Sequence, residues 1–443
     1  MSTSKDKLSS MQPAKSITIF VFLSLAVLSK LSFAGEDFAA LPEPLTLEQA
    51  LVLAEEMDPT MQQAQAEVEL AHADELAAEA QDGINIWLHG RARKVEPSDR
   101  AVTRDRDDHL MSLTVSKNLY DFGRSSAYQT AAKTELAGHE YLYLDRTRQR
   151  RIEIMQRYFD VLRADMEFAR DNEAMAEAYV SLDKLRNRHE LGSVSDLDIL
   201  AMENKYQHAL YMRSISQQRM RVARAQLAIA LNRPGQLPAN LVQPELPQLQ
   251  RELPEYELLL SKAQADNPRL QALRKRAEAA ELRLTAAYAG RRPRLSGELE
   301  AAEYSRSMGS NDKRRASLYL DIPLYDGGST NSSIARAQAE LYRVRAELAE
   351  AERSLQQMVL ERWVELSTLR VDYQRSLAQQ EFSDMYLDRS RTLYEMEVQA
   401  DLGDAMVRLT KAQLDELNVR FTTALVWERM DALTGGALQM GEE

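Results

Sequence analysis

Two long windows of the sequence are almost free of the residues that end helices. From residue 124 to 190 the only proline or glycine is Gly138, and from 329 to 397 there is none. Each window therefore predicts one uninterrupted helix. At about 1.5 Å per residue, a helix of roughly 67 residues is about 100 Å long. No compact domain of this size contains such a helix, so an extended helical protein is expected.

Composition excludes several classes of protein. The chain has 443 residues, no cysteine, 28% charged residues and a net charge of -12. The lack of cysteine excludes a disulfide framework and a cysteine-ligated metal, and the acidic balance argues against nucleic acid as a partner. The six histidines are scattered, and Glu69-x-x-His72 is only half of the pattern that a di-metal bundle needs twice. We therefore predict no enzyme, no cofactor and no metal site.

The N-terminus has the pattern of an export signal. Lysines precede an apolar run at 17–28, and Ser32-Phe33-Ala34 follows with the small-x-small pattern that a signal peptidase accepts. We expect a signal peptide over 1–34 that is cleaved after Ala34, which leaves a chain of net charge -15. An uncleaved anchor helix is the alternative, but the run has about a dozen residues where a span needs about twenty. Beyond it, no stretch of about 18 apolar residues occurs.

The rest of the chain contains a repeat. Leu119-Tyr120-Asp121-Phe122-Gly123 matches Leu324-Tyr325-Asp326-Gly327-Gly328 at an offset of 205, and Asp58-Pro59 matches Asn267-Pro268. Because the matches are collinear, duplication explains them better than chance does. We predict a first repeat over 35–232, a proline-rich linker over 233–254, a second repeat over 255–436 and a short tail over 437–443.

Each repeat has the same predicted order of elements: a helix, a hairpin, the long helix, a sharp turn and a return helix. The first helices are predicted over 46–80 and 255–289, the hairpins over 84–119 and 293–324, the long helices over 124–190 and 329–397, and the return helices over 196–232 and 401–434. Apolar residues recur every three or four positions along the long helices, as at Met155, Phe159 and Leu162. A mean spacing of 3.5 is typical of helices that supercoil around neighbours.

The hairpins have a different period. Ile84, Ile86 and Leu88 alternate with polar or amphipathic residues, and the same alternation occurs over 111–119 and 318–324. A period of two predicts strands with one apolar face. A water-facing hairpin and a membrane strand both fit this pattern. Four strands cannot close a barrel, since the smallest have about eight, so membrane strands would have to be pooled by two or three chains.

Taken in order, these features resemble the TolC-like outer membrane efflux protein family. The resemblance is carried by the signal peptide, the duplicated element order, the two Leu-Tyr-Asp-x-Gly motifs, and Leu191-Gly192 followed by Asp198-Ile199-Leu200. It implies a fold that is mainly α with β: long antiparallel coiled-coil helices form a periplasmic α-helical barrel, and a homotrimer pools four strands per chain into a 12-stranded transmembrane β-barrel.

The resemblance also implies a function and partners. The chain would be the exit duct of a tripartite export system, located in the outer membrane and extending into the periplasm. It would pass drugs, small molecules or secreted proteins from an inner-membrane pump of the RND or ABC type, through a periplasmic adaptor (membrane fusion protein), to the cell exterior. Outer membrane lipid would surround its strands. A soluble periplasmic coiled-coil adaptor or scaffold is the alternative function.

Three groups of site residues follow from the resemblance. The adaptor-contacting tip is assigned to Leu191, Gly192, Ser193, Glu397 and Val398; the periplasmic gate to Asp198, Tyr394, Asp401 and Asp404; and the strand–helix junctions to Tyr120, Asp121, Gly123, Tyr325, Asp326 and Gly328. Two positions depart from the family pattern, because Glu397 replaces a glycine and Gln399 stands where a gate arginine is often found. Helix capping is the alternative role for the three gate aspartates.

Overall fold

A computed structural model describes residues 40–54, 58–98, 100–101, 103–306, 311–396 and 402–436. The predicted signal peptide and the predicted tail lie outside these ranges. The described residues form α1 (Leu47–Ala54), α2 (Pro59–Ala80), β1 (Asn85–Arg91), β2 (Leu110–Tyr120), α3 (Arg124–Glu190), α4 (Asp196–Ala230), a 3₁₀ turn (Pro247–Gln250), α5 (Tyr256–Asp266), α6 (Pro268–Ala289), β3 (Arg294–Tyr304), β4 (Arg314–Asp321), α7 (Ser329–Glu395) and α8 (Leu402–Leu433). The predicted class, mainly α with four strands and long helices, is confirmed.

The first helix of each repeat is in fact two helices. The prediction of single helices over 46–80 and 255–289 is wrong, because a new helix begins at Pro59 and again at Pro268. The residue before a proline is sterically kept out of the helical conformation. Asp58 and Asn267 therefore have extended backbones, and each caps the helix that follows by accepting a hydrogen bond from the third residue on, at 2.8 and 2.9 Å.

The two long helices form as predicted. α3 and α7 each contain 67 residues, and α3 has the predicted bounds, while α7 ends two residues before the predicted position. Met155 and Phe159 of the predicted apolar stripe are buried, and so are Leu341 and Val344 in the second copy. The 3.5-residue stripe is thus the packed face of each helix.

The main core lies near the middle of α3. Phe159 stacks on Phe421 of α8, with ring centroids 4.2 Å apart. The hydroxyl of the fully buried Tyr158 lies 2.8 Å from the carbonyl oxygen of Leu45 and 2.6 Å from that of Val242. The proline-rich segment 233–254, which the sequence presents as a linker, is therefore packed onto the helices at this level.

The four strands form one antiparallel sheet in the order β1-β2-β3-β4. Each predicted hairpin is present, and β2 pairs with β3 along most of its length, from Leu110 opposite Tyr304 to Asn118 opposite Ser296. The two repeats thus share a single sheet.

The helices form a row in which α3 is central. α3 packs against α2, α4, α6 and α8, and α7 packs against α6 and α8. Consequently α2 and α4 lie at one side of the row and α7 at the other. None of the described helices is long and apolar enough to cross a membrane.

Candidate functional site

One face of the sheet is largely apolar and exposed, with the charged residues Lys117, Glu303 and Arg314 toward its two ends. The residues that share this face come from all four strands: Ile86, Leu88, Met111, Leu113, Val115, Leu299, Leu318 and Leu320. Leu88 is 68% exposed and Leu318 is 67% exposed. Contiguous apolar patches of this kind mark a surface that another molecule or a membrane covers.

The opposite face is polar. It carries Asn85, Trp87, His89, Ser112, Thr114, Ser116, Glu298, Glu300, Arg315 and Ser317. Arg315 forms an ion pair with Glu300 directly across the strands, and the rings of Trp87 and His89 stack with centroids 6.3 Å apart. An apolar face backed by a polar face is the pattern of strands that separate lipid from an aqueous interior.

Both edges of this sheet are open within the described residues. β1 and β4 each pair with one neighbour only. The unpaired N–H and C=O groups of an edge strand form a template for another strand, and hydrocarbon cannot satisfy such groups. This sheet can therefore be extended by a further strand at either edge.

Each long helix begins directly after the sheet, at a Tyr-Asp-x-Gly turn. Asp121 accepts a hydrogen bond of 2.9 Å from the backbone N–H of Ser125. Asp326 accepts one of 2.8 Å from the N–H of Thr330 and one of 3.1 Å from the N–H of Gly328. The hydrogen bonds from the side chain and backbone of Thr330 lower the pKa of Asp326. The ionised carboxylates thus satisfy N–H groups that the first turn of a helix leaves unpaired.

The junction tyrosines lie at the end of the apolar face. Tyr120 is 56% exposed, with its ring 4.7 Å from that of Phe122, and Tyr325 is 90% exposed. Exposed amphipathic rings next to an apolar band are typical of the membrane–water boundary. The junction motif therefore places an exposed tyrosine next to the aspartate that caps the long helix.

The junction glycines have left-handed backbone conformations, which cost free energy when any other residue adopts them. Gly123 has φ +85° and Gly328 has φ +91°, and a Cβ atom at either would meet nothing within 4 Å. We expect Gly123→Ala to lower the free energy of unfolding by about 1–2 kcal/mol through the left-handed backbone alone. Thermal unfolding in detergent would measure this effect. Gly90→Ala, where a Cβ also meets nothing within 4 Å but φ is not positive, is the control, and an equal loss in both variants would contradict the explanation.

The turn between α3 and α4 is closed by local hydrogen bonds. Gly192 has φ +71°. The backbone N–H and the hydroxyl of Ser193 donate to the carbonyl oxygen of Arg188 at 3.0 and 2.7 Å. Ser195 then caps α4, in a reciprocal capping box with Asp198. These bonds hold the α3–α4 turn, with Leu191, Gly192 and Ser193 of the predicted tip, in a fixed shape.

Apolar side chains cover this tip. Leu191 is 82% exposed, Leu197 is 76% exposed and Leu200 is 65% exposed. Leu191 is one of the predicted tip residues, whereas Leu197 and Leu200 are absent from the predicted site. The signal available in the sequence was a pair of leucines three positions apart in the first turn of a helix, where they share a face.

The second turn, between α7 and α8, is described only in part. Glu397, Val398, Gln399 and Asp401 lie outside the described residues. Tyr394, near the end of α7, is 60% exposed.

Asp404 lies in the first turn of α8 and forms an ion pair with Arg408, whose guanidinium carbon is 5.4 Å from the ring centroid of Tyr386. A carboxylate in the first turn also stabilises the helix, because it interacts with the positive end of the helix dipole.

The carboxylate of Asp198 is used in helix capping. It accepts hydrogen bonds from the hydroxyl of Ser195 at 2.7 Å and from its backbone N–H at 3.3 Å, and these bonds lower the pKa of Asp198. Among the described residues, no hydrogen bond joins Asp198 to Tyr394. Within one chain, Asp198 therefore acts as a helix-capping residue, as the alternative interpretation expects. The role of Asp198 in a gate stays a prediction.

The outer members of the helix row also expose apolar side chains. On α4 these are Tyr211 (61% exposed), Val222 (54%) and Ile229 (65%). On α7 they are Val364 (49%), Val371 (72%) and Phe382 (58%). Since α4 and α7 lie on opposite sides of the row, both sides carry surface suited to a further helix.

Comparison with known proteins shows which proteins this chain is similar to. Residues 259–436 match the family described as outer membrane efflux protein. The outer membrane protein VceC from Vibrio cholerae is 16% identical over 88% of this chain and 96% of that chain, with a TM-score of 0.72. The Campylobacter jejuni CmeC outer membrane channel is 13% identical over 94% and 92%, with a TM-score of 0.74. The open state of the Neisseria gonorrhoeae MtrE outer membrane channel is 18% identical over 88% and 89%, with a TM-score of 0.64.

The match to the outer membrane efflux protein family thus covers most of the second repeat, and both repeats together have the fold of TolC-like outer-membrane channels. The family resemblance drawn from the sequence is confirmed. The family and the similar structures are channels, in agreement with the prediction that the chain is not an enzyme. A search of the curated proteins found no match.

Proposed function

We propose that this chain is the outer-membrane exit duct of a tripartite export system. The observation that carries the proposal is the apolar sheet face, which continues across all four strands and ends in two open edges. The alternative function, a soluble adaptor, does not require an exposed apolar sheet face. In the outer membrane this apolar face contacts lipid. The long helices, which begin at the strand–helix junctions, extend from the sheet into the periplasm.

The open edges support an oligomer. Because β4 of one chain can pair with β1 of the next, the interface is heterologous and closes into a ring when the rotation permits. Three chains then supply twelve strands, within the range of known barrels. The exposed apolar residues of α4 and α7 meet in the same ring, so one assembly covers both the sheet edges and the helix row.

The exposed leucines at the α3–α4 turn are an argument for a binding partner in the periplasm. An inner-membrane pump cannot reach the outer membrane by itself, and the exposed leucines at the α3–α4 turn offer an apolar contact for an adaptor hairpin. The fixed shape of this turn limits the entropy lost on binding. Export to this location rests on the proposed cleavage after Ala34.

Fractionation and reconstitution test the proposed function. We expect the chain in the outer-membrane fraction as a heat-modifiable oligomer, with the mass of a trimer by light scattering in detergent, and stepwise conductance in planar bilayers. Recovery as a monomer in the soluble periplasmic fraction would instead support the adaptor alternative.

The gate is proposed to depend on Asp401 and Asp404. Threefold symmetry turns two carboxylates per chain into a ring of six, which attracts cations at a constriction. We expect the double variant Asp401→Ala/Asp404→Ala to assemble normally and to show altered single-channel conductance and weaker block by divalent cations. Glu190→Ala, a carboxylate removed at the other turn, is the control. Wild-type conductance and block in an assembled double variant would refute the gate.

A further inference from the structure

The beginning of α8 lies unusually close to α3. A Cβ atom placed on Gly403 would lie 2.7 Å from Cγ of Glu177, 3.3 Å from its Cβ and 3.8 Å from its Cα. Carbon atoms in ordinary contact are about 3.5–4.0 Å apart. Any side chain at position 403 therefore requires either α8 or Glu177 to move.

Glu177 is held in place from two sides. Its carboxylate accepts a hydrogen bond of 2.8 Å from the hydroxyl of Ser181 and lies 3.4 Å from Nζ of Lys205 on α4. Its side chain is only 14% exposed. Because the atom nearest to Gly403 is Cγ, close to the backbone of α3, rotation of the carboxylate end does not relieve the contact.

Small residues continue this close approach. Ala178 of α3 and Ala405 of α8 are buried, at 1% and 0% exposure. Farther along, the same two helices are joined by the stack of Phe159 on Phe421. The contact at Gly403 thus lies at the beginning of α8, and α3 and α8 are in contact again farther along their lengths.

The first repeat does not need a glycine here. At the offset of 205 the residue equivalent to Gly403 is Asp198, which is exposed and caps α4. This difference between Gly403 and Asp198 agrees with the packing of the two repeats. The helix that contains Gly403, α8, lies against α3 as well as α7. The absence of a side chain is a requirement of the second repeat alone.

We propose that Gly403 is a positioning residue: it lets α8 begin in direct contact with Glu177, and this contact sets the distance of the start of α8 from α3 and hence the bore of the duct at this end. The link to the bore rests on the proposed function; the positioning itself does not. A larger side chain at position 403 pushes the start of α8 away from α3, and the displacement increases with its size.

Distance measurement tests the positioning directly. The chain has no cysteine, so spin labels at Leu191→Cys and Met396→Cys, both at exposed positions, report the separation of the ends of α3 and α7. We expect Gly403→Ala to lengthen the distance, and Glu177→Ala in the same chain to shorten it again. Gly138→Ala, where the added Cβ meets its nearest atoms at 3.4 and 3.5 Å, is the control. An unchanged distance in Gly403→Ala overturns the proposal.

Conductance tests the consequence for the bore. In planar bilayers we expect a shift of the conductance level in Gly403→Ala, a larger shift in Gly403→Leu, and recovery when Glu177→Ala is added. Light scattering confirms that each variant is assembled, and Gly403→Ala alone suffices if the leucine variant does not assemble. A lengthened distance with wild-type conductance overturns the link to the bore. Absence of conductance in the wild type would instead refute the proposed function and leave the distance test valid.

Discussion

Replacing Leu113 and Leu299 by arginine is expected to prevent the chain from assembling in the outer membrane. Both leucines lie on the apolar face of the sheet, in neighbouring strands, and are 45% and 59% exposed. An arginine that faces lipid near the bilayer midplane costs about 2–4 kcal/mol. Two therefore cost about 4–8 kcal/mol, which is comparable to the whole stability of a typical domain, about 5–15 kcal/mol.

The control for this variant uses the same strands and the same chemistry. Thr114→Arg with Glu298→Arg places two arginines on the polar face, next in sequence to the tested leucines. We expect this control to assemble, since that face meets water in the proposed barrel. The amount of heat-modifiable trimer in the outer-membrane fraction is the measurement. Equal assembly of the two variants would show that the leucines do not face lipid.

The second large effect is expected at the tip. Burying a leucine side chain contributes about 1.5–3 kcal/mol, so replacing Leu191 and Leu197 by serine removes about 3–6 kcal/mol of apolar contact with an adaptor. Since about 1.4 kcal/mol is a tenfold change in affinity, adaptor binding should weaken by a factor of about 100 or more. Neither side chain contributes to the buried core, so folding and conductance should stay unchanged.

Binding of the periplasmic adaptor to immobilised trimer measures this effect directly. Val52→Ser, which removes an apolar side chain that is 64% exposed on α1, is the control for a general loss of surface hydrophobicity. If the tip variant bound the adaptor as tightly as the wild type, the adaptor contact would have to lie elsewhere on the chain.

The helices and hairpins were predictable because their signals are local. The end of α3 follows from the absence of helix-breaking residues up to Leu191-Gly192, and the strands follow from a period of two. The break in the first helix of each repeat is also a local effect, since a new helix begins at Pro59 and at Pro268. A proline excludes helical backbone from the residue before it, so two helices were predictable there.

The candidate site was only partly predictable, for a physical reason. The junction motifs combine a capping aspartate with a glycine of positive φ, and both act within a few residues. Leu197 is different, because its exposure depends on which helices lie beside the first turn of α4. The same holds for Gly403, whose lack of a side chain has meaning only next to Glu177, far away in the sequence.

The sequence by itself determined the lengths of the two long helices, the alternation of the strands and the duplication, because periodicity, capping and helix breaking act over short distances along the chain. Only the tertiary structure decided that β2 and β3 join the two hairpins into one sheet, that the linker packs against Tyr158, and that α8 touches α3 up to Gly403. These contacts bring together residues that are distant in sequence. The free energy of each contact depends on burial and close packing, which cannot be read from the sequence pattern of a short segment.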